Sequence, residues 1–121
     1  YGVDLVKEQL KAAMGERLAW TQPQIQPRGW AIECRVNAED PFANFMPSTG
    51  TLTHVTLPTG TGVRVDTGVF AGYTITPFYD PMISKLITYG ATRDEAIADC
   101  RRGDQYPVSP AHVARPALCR R

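Results

Sequence analysis

The amino-acid sequence predicts an α+β fold, a small antiparallel β-sheet with flanking helices, and three observations carry that expectation. Residues 30–37, WAIECRVN, alternate apolar and polar side chains as a half-buried strand does. Short runs rich in β-branched residues at 51–57, 62–66 and 82–89 are punctuated by Gly, Pro and Asp, which suits several short strands. Helical signals stand on either side. Apolar residues recur three and four apart over 3–14, and Thr92 precedes Glu95 by three positions as a capping box. The length, 121 residues, is that of one domain.

In chain order, Val3, Val6, Leu10, Ala13 and Met14 make one face of the first helix, with Gly2 or Asp4 near its start and Gly15 as its stop. Pro23 and Pro27 break residues 20–29 into a linker. The strand over 30–38 puts Trp30, Ile32, Cys34 and Val36 on one face and Ala31, Glu33, Arg35 and Asn37 on the other. Glu39-Asp40-Pro41 ends it, and 44–50 reads as a loop. Pro58-Thr59-Gly60 separates two short strands at 51–57 and 62–66. Residues 72–76 extend toward another strand, and 77–81, PFYDP, form a rigid corner. The run MISKLITY, 82–89, is a strand candidate whose first four residues also suit a helical turn. The helix opened by Thr92 gets about three turns at most, because Gly103, Pro107, Pro110 and Pro116 follow without a periodic apolar face.

Charge and composition exclude several classes. Hydrophobic residues make up 43% and charged residues 21%, values of a globular domain. The net charge of +1 gives no support to nucleic acid binding. Its distribution is uneven: residues 1–100 hold 8 basic and 11 acidic side chains, residues 101–121 hold 5 and 1. No apolar run reaches the roughly 18 residues of a membrane span, and Tyr1-Gly2-Val3-Asp4 does not open a signal peptide. Cys34, Cys100 and Cys119 are odd in number and far apart, with only two His and no CxxC, so neither a disulfide framework nor a metal site is expected. These features suggest a cytoplasmic setting.

Chemistry-bearing motifs are few. There is no phosphate-binding glycine loop, GxSxG or HExxH; Gly60-Thr61-Gly62 is a turn signal. His54 sits mid-strand, where a hydrogen-bonded structural role is expected, and Cys34 lies on an apolar face as core filler. The polar face of Glu33, Arg35 and Asn37 is more informative. It suits either an ion-paired, solvated sheet face or an anion-binding face centred on Arg35. A guanidinium stays protonated and presents a rigid fork of donors to a carboxylate or enolate oxygen. Lys85 and Arg64, also on strand candidates, could add positive charge nearby.

The stretch RGWAIECRVNAEDP, residues 28–41, resembles the opening of the C-terminal domain of biotin carboxylase. GVRVDTGVFAGY and FYDPMISKLITYG follow in the family's order and spacing. The likeness runs from about residue 2 to residue 98. It implies one part of an ATP-dependent ligase that activates bicarbonate as carboxyphosphate and carboxylates N1 of biotin on a carrier protein. That is the first half-reaction of acyl-CoA carboxylases, including the acetyl-CoA carboxylase of fatty acid biosynthesis, and of pyruvate carboxylase. In this resemblance Arg35 matches the arginine beside the biotin ureido group, the expected catalytic residue. Glu33 and Asn37 would flank and orient it on the biotin side. Arg64 matches a homodimer interface, whereas Asp80 and Lys85 look architectural.

The same resemblance sets boundaries. Residues 1–19 correspond to the terminal helix of a preceding ATP-grasp region and a linker, 20–100 to the biotin carboxylase C-terminal domain, and 101–121 to a divergent, disordered tail. The ATP-grasp residues that hold ATP and Mg2+ are not in this sequence, so the domain is expected to be incomplete at both ends. Alone it is expected to bind no cofactor or metal and to be inactive, with apolar sheet surface left exposed. The expected partners of the complete enzyme are a biotin carboxyl carrier protein or domain, a carboxyltransferase and a second copy of itself. The alternative is a non-catalytic or split-subunit module that binds within a carboxylase complex.

Overall fold

The computed structural model describes residues 1–103 and the strand Val108–Ser109. The elements in order are α1 (Leu5–Ala13), a 3-10 turn (Gln22–Gln24), β1 (Trp30–Asn37), β2 (Glu39–Asp40), a second 3-10 turn (Pro41–Ala43), β3 (Met46–Pro47), β4 (Gly50–Thr51), β5 (His54–Val55), β6 (Val63–Thr67), β7 (Thr74–Ile75), β8 (Met82–Gly90), α2 (Arg93–Gly103) and β9 (Val108–Ser109). This is the expected α+β arrangement of antiparallel strands and flanking helices. Residues 101–103 complete α2, and β9 pairs with β5. The remaining residues of the expected tail, 104–107 and 110–121 with Cys119 among them, lie outside the described residues.

The central sheet has the order β1-β8-β6, all antiparallel. β8 is the middle strand, so both of its edges are hydrogen-bonded, and it settles as a strand throughout rather than opening with a helical turn. Ser84, Leu86, Thr88 and Gly90 are buried on alternate positions. Thr88 tolerates complete burial because its hydroxyl donates to the carbonyl of Ala96 at 2.8 Å. The capping box holds: Thr92 Oγ1 accepts from the Glu95 amide at 3.2 Å, and the Glu95 carboxylate accepts from the Thr92 N–H at 3.3 Å and from the Ala91 N–H at 2.8 Å. α2 then lays Ala96, Cys100 and Gly103, spaced four and three, onto the sheet. A side chain at Gly90 would meet Glu95 Cβ at 2.6 Å, so this close strand–helix approach requires glycine.

The core is in two parts. Cys34, Leu86 and Cys100 are buried between the sheet and α2, with Ile32, Val63 and Val65 packed around them. Ala38, Leu52, Ile75 and Ile83 form the second cluster, supported by Val36, Val55 and Val69.

Several local expectations are corrected. The strand expected over 51–57 is two: β4 pairs with β7 and β5 with β9. Leu52 between them is fully buried and exchanges backbone hydrogen bonds with Tyr73 and Gly72 at 2.9 and 2.7 Å, which turns the chain inward. The loop over 44–50 contains β3 and is bent by Asn44 and Phe45, both left-handed at φ 54° and 58°. α1 forms as expected, capped by Asp4, which accepts from the Lys7 amide at 3.0 Å. Its apolar face does not pack within the described residues: Leu5, Val6, Leu10 and Met14 are all exposed, and Glu8 is the buried residue. No described helix is long and apolar enough to cross a membrane.

Candidate functional site

Antiparallel pairing across the central sheet builds a charged array that the sequence order does not display. β8 places Lys85 opposite Arg35 of β1 on one side and opposite Asp66 of β6 on the other. The adjacent row on the same face runs Glu33, Ile87, Arg64. Three cations and two carboxylates therefore share one patch.

The contacts within it are unequal. Arg64 grips Asp66 with two hydrogen bonds, 2.8 Å from Nε and 2.6 Å from the terminal nitrogen. Both groups lie two residues apart on one strand, so alternation puts them side by side. By contrast, Glu33 is divided between two cations: its Oε1 lies 3.6 Å from Arg35 Nε and 3.8 Å from Lys85 Nζ. Neither distance is that of a hydrogen bond. The Arg35 side chain is 68% exposed, and its donor fork is turned to solvent with only this loose counter-charge. Without Glu33, Arg35 would lose its described counter-charge, whereas Lys85 would still face Asp66.

Asn37 is placed differently from Glu33 and Arg35. The β1–β8 register shifts between Val36 and Asn37, and this bulge ends the alternation. The Asn37 amide donates to Glu39 at 3.4 Å, and its Oδ1 is buried without a hydrogen-bond partner. The structure thus brings Glu33, Arg35 and Lys85 together, puts Arg64 on the neighbouring edge strand, and aims Asn37 at Glu39. Lys85 was expected from sequence as positive charge near Arg35; its place between Arg35 and Asp66, and the Arg64–Asp66 grip, were not. The spacing Arg-Val-Asp was the available signal for the grip; the neighbours of Lys85 come from distant strands.

His54 makes the expected local contact, 2.6 Å from Thr56 Oγ1. Asp80 accepts from the Met82 amide at 2.8 Å and so fixes the corner entering β8. A cavity of about 450 Å³ opens beside the array, with Asp66, Lys85, Ser84, Tyr73 and Tyr79 in its wall. Among the described residues no group of three His, Cys, Asp or Glu could hold a metal ion.

Asp66 titrates below the usual aspartate range, mainly because Arg64 hydrogen-bonds its carboxylate, with the charges of Arg64 and Lys85 adding and desolvation opposing. Since the folded value is depressed, its stabilising contribution is full above the unfolded Asp range and is lost as pH falls through the folded value. Both partners are exposed, so the contribution is small. Asp66→Asn should melt slightly below the parent near neutral pH, and the gap should close below about pH 4. Thermal melts between those limits measure it.

The family model of the biotin carboxylase C-terminal domain matches residues 33–103. Biotin carboxylase 1 of Bacillus subtilis (strain 168) is 55% identical over 101 residues, which cover 84% of this chain and 22% of that protein. The crystal structure of the biotin carboxylase subunit of a pyruvate carboxylase superposes with a TM-score of 0.88 at 43% identity, covering 98% of this chain and 26% of that one. The biotin carboxylase domain dimer of 2-oxoglutarate carboxylase from Hydrogenobacter thermophilus, solved with MgADP, ADP and bicarbonate, gives 0.83 at 44% identity over 89% of this chain and 24% of that one. The chain thus spans about a quarter or less of the length of these relatives.

Proposed function

The chain belongs to the biotin carboxylase C-terminal domain family, and from that premise we propose that it forms the biotin-facing wall of an ATP-dependent carboxylase. The relatives are named as pyruvate, 2-oxoglutarate and plain biotin carboxylases, so the reading concerns the half-reaction they would share: transfer of bicarbonate carbon to N1 of carrier-bound biotin.

The observation that carries this is the exposed guanidinium of Arg35, held at 3.6 Å by a carboxylate that Lys85 also claims. Arg35 would receive the negative charge that develops on a ureido oxygen as the adjacent ring nitrogen gives up its proton. A cation already beside that oxygen when the charge develops stabilises the transition state. Glu33 limits how far Arg35 can swing and, shared with Lys85, does not neutralise it. Asn37, the last residue of β1, reaches Glu39 of β2 and would act on Arg35 only through the strand they share. Nucleotide and magnesium would activate bicarbonate on the remaining length of the carboxylase. A biotin carrier domain and a carboxyltransferase are the partners this reaction needs.

The test is a chimera in which this chain replaces the matching segment of the Bacillus subtilis enzyme. Biotin-dependent ATP cleavage by the chimera is the expected result. A folded chimera that cleaves ATP with bicarbonate but never responds to biotin would sink the reading.

Arg64 is proposed to lie on a homodimer face, since its side chain is 72% exposed on edge strand β6 and held rigid by Asp66. Arg64→Glu would set three carboxylates near one another and should shift the chimera from dimer toward monomer in sedimentation velocity. The alternative reading, a split-subunit or non-catalytic module, is favoured by the exposed apolar face of α1 at Leu5, Val6, Leu10 and Met14. It requires that the separately expressed chain bind the rest of a carboxylase. No binding in such a mixture would remove it.

A further inference from the structure

Cys34 on β1 and Cys100 on α2 are separated by 66 residues in sequence, yet their sulfurs lie 3.1 Å apart behind the sheet. They are 7% and 1% exposed, and Leu86 completes their cluster. The carboxylation chemistry proposed above uses neither thiol.

We propose that Cys34 and Cys100 form an oxidation site, at which a hydroperoxide converts the pair to a disulfide that ties α2 to the strand carrying Arg35. A disulfide places its sulfurs at about 2.05 Å, so bond formation needs an approach of roughly 1 Å. Buried thiols are ordinarily inert, being protonated and out of reach. Proximity changes the second step: once one sulfur is oxidised, the other is already in position, and the intramolecular reaction outruns any solvent thiol.

Cys34 is the less buried of the two and reacts first. Its thiolate attacks a peroxide oxygen and the O–O bond breaks. A sulfenic acid remains, and hydroxide leaves as water with the proton the thiol released. The Cys100 thiolate then attacks the sulfenic sulfur, the S–O bond breaks, the S–S bond forms, and a second water departs. Two electrons pass from the sulfur pair to one peroxide. The link closes a long loop, which restricts the unfolded chain and raises the melting temperature. Arg35 follows Cys34 directly but projects from the opposite face of β1, so the bridge fixes its strand without occupying its donors. This inference stands whether or not the carboxylase reading holds.

The experiment uses the whole chain carrying Cys119→Ser, exposed to hydrogen peroxide both in buffer and in urea, quenched by alkylation and mapped by mass spectrometry. The expected product has lost about 2 Da and contains a Cys34–Cys100 linked peptide, reversible by dithiothreitol. Of the chains that are oxidised, the linked fraction should be about tenfold higher in buffer than in urea, where the sulfenic acid is no longer held beside Cys100. With Cys100→Ala, Cys34 should stop at a sulfenic acid that dimedone labels. Equal linked fractions in buffer and urea, oxygen added to one cysteine in place of the link, or both thiols unchanged while glutathione in the same tube is consumed, would each overturn the proposal. The comparison of buffer with urea decides even if the Cys100→Ala chain does not fold.

Discussion

Arg35→Gln, introduced into the chimeric carboxylase, should lower biotin-dependent turnover by about 10²–10³-fold, the loss expected when a preorganised donor facing a developing oxyanion is removed. Glutamine is shorter and keeps a neutral donor, but loses the charge and the planar fork. The deficit should appear in kcat more than in KM for biotin, because the charge it meets exists only in the transition state. Bicarbonate-dependent ATP cleavage without biotin should persist, since Arg35 is proposed to act only after bicarbonate is activated. Arg35→Lys should recover part of the rate at most: an ammonium restores the point charge without the planar fork. Glu33→Gln should cost less, because Arg35 remains and loses only the carboxylate 3.6 Å from its Nε. A loss confined to KM, or equal losses with and without biotin, would place Arg35 in structure and not in chemistry.

How much of this site could be read from the sequence follows from how local each determinant is. The alternation over 30–37 made Glu33 and Arg35 neighbours on one face, and pairing with β8 keeps them there. Asn37 belongs to the same alternation on paper, but a bulge is a property of two paired strands, and one strand's pattern cannot contain it. Lys85 was legible as a strand residue, not as the hub between Arg35 and Asp66, because register is fixed by contacts about fifty and twenty residues away in sequence. The capping box at Thr92 and Glu95 is entirely local and formed as expected. α1 is the instructive opposite. Its three-and-four apolar spacing is real, yet Val6, Leu10 and Met14 stay exposed, because periodicity shows that a face exists and not what covers it. The run at 51–57 divided for a similar reason: Leu52 is drawn into a core made with Ile75 and Ile83, and that inward turn interrupts the strand.

The second large effect concerns those cores. Leu86→Ala should cost about 2–5 kcal/mol, because a buried side chain is lost between α2 and the sheet. Gly103 allows Leu86 to fit so closely that an added Cβ there would lie 2.7 Å from its Cδ2, so the helix has no side chain with which to refill the cavity. Leu52→Ala should cost a similar amount in the other cluster, where Ala38, Ile75 and Ile83 surround it. Either loss is a large share of the 5–15 kcal/mol typical of a domain. Urea unfolding of both single variants and the double variant separates two pictures of the molecule. If the clusters are independent, the double variant should equal the sum within about 0.5 kcal/mol. If β8, which contributes Ile83 to one cluster and Leu86 to the other, transmits strain between them, the double variant should depart from the sum by more than that. Lys85 sits between those two leucine and isoleucine anchors, so coupling of this kind would mean that packing on either side of β8 also sets the position of the charge shared with Arg35.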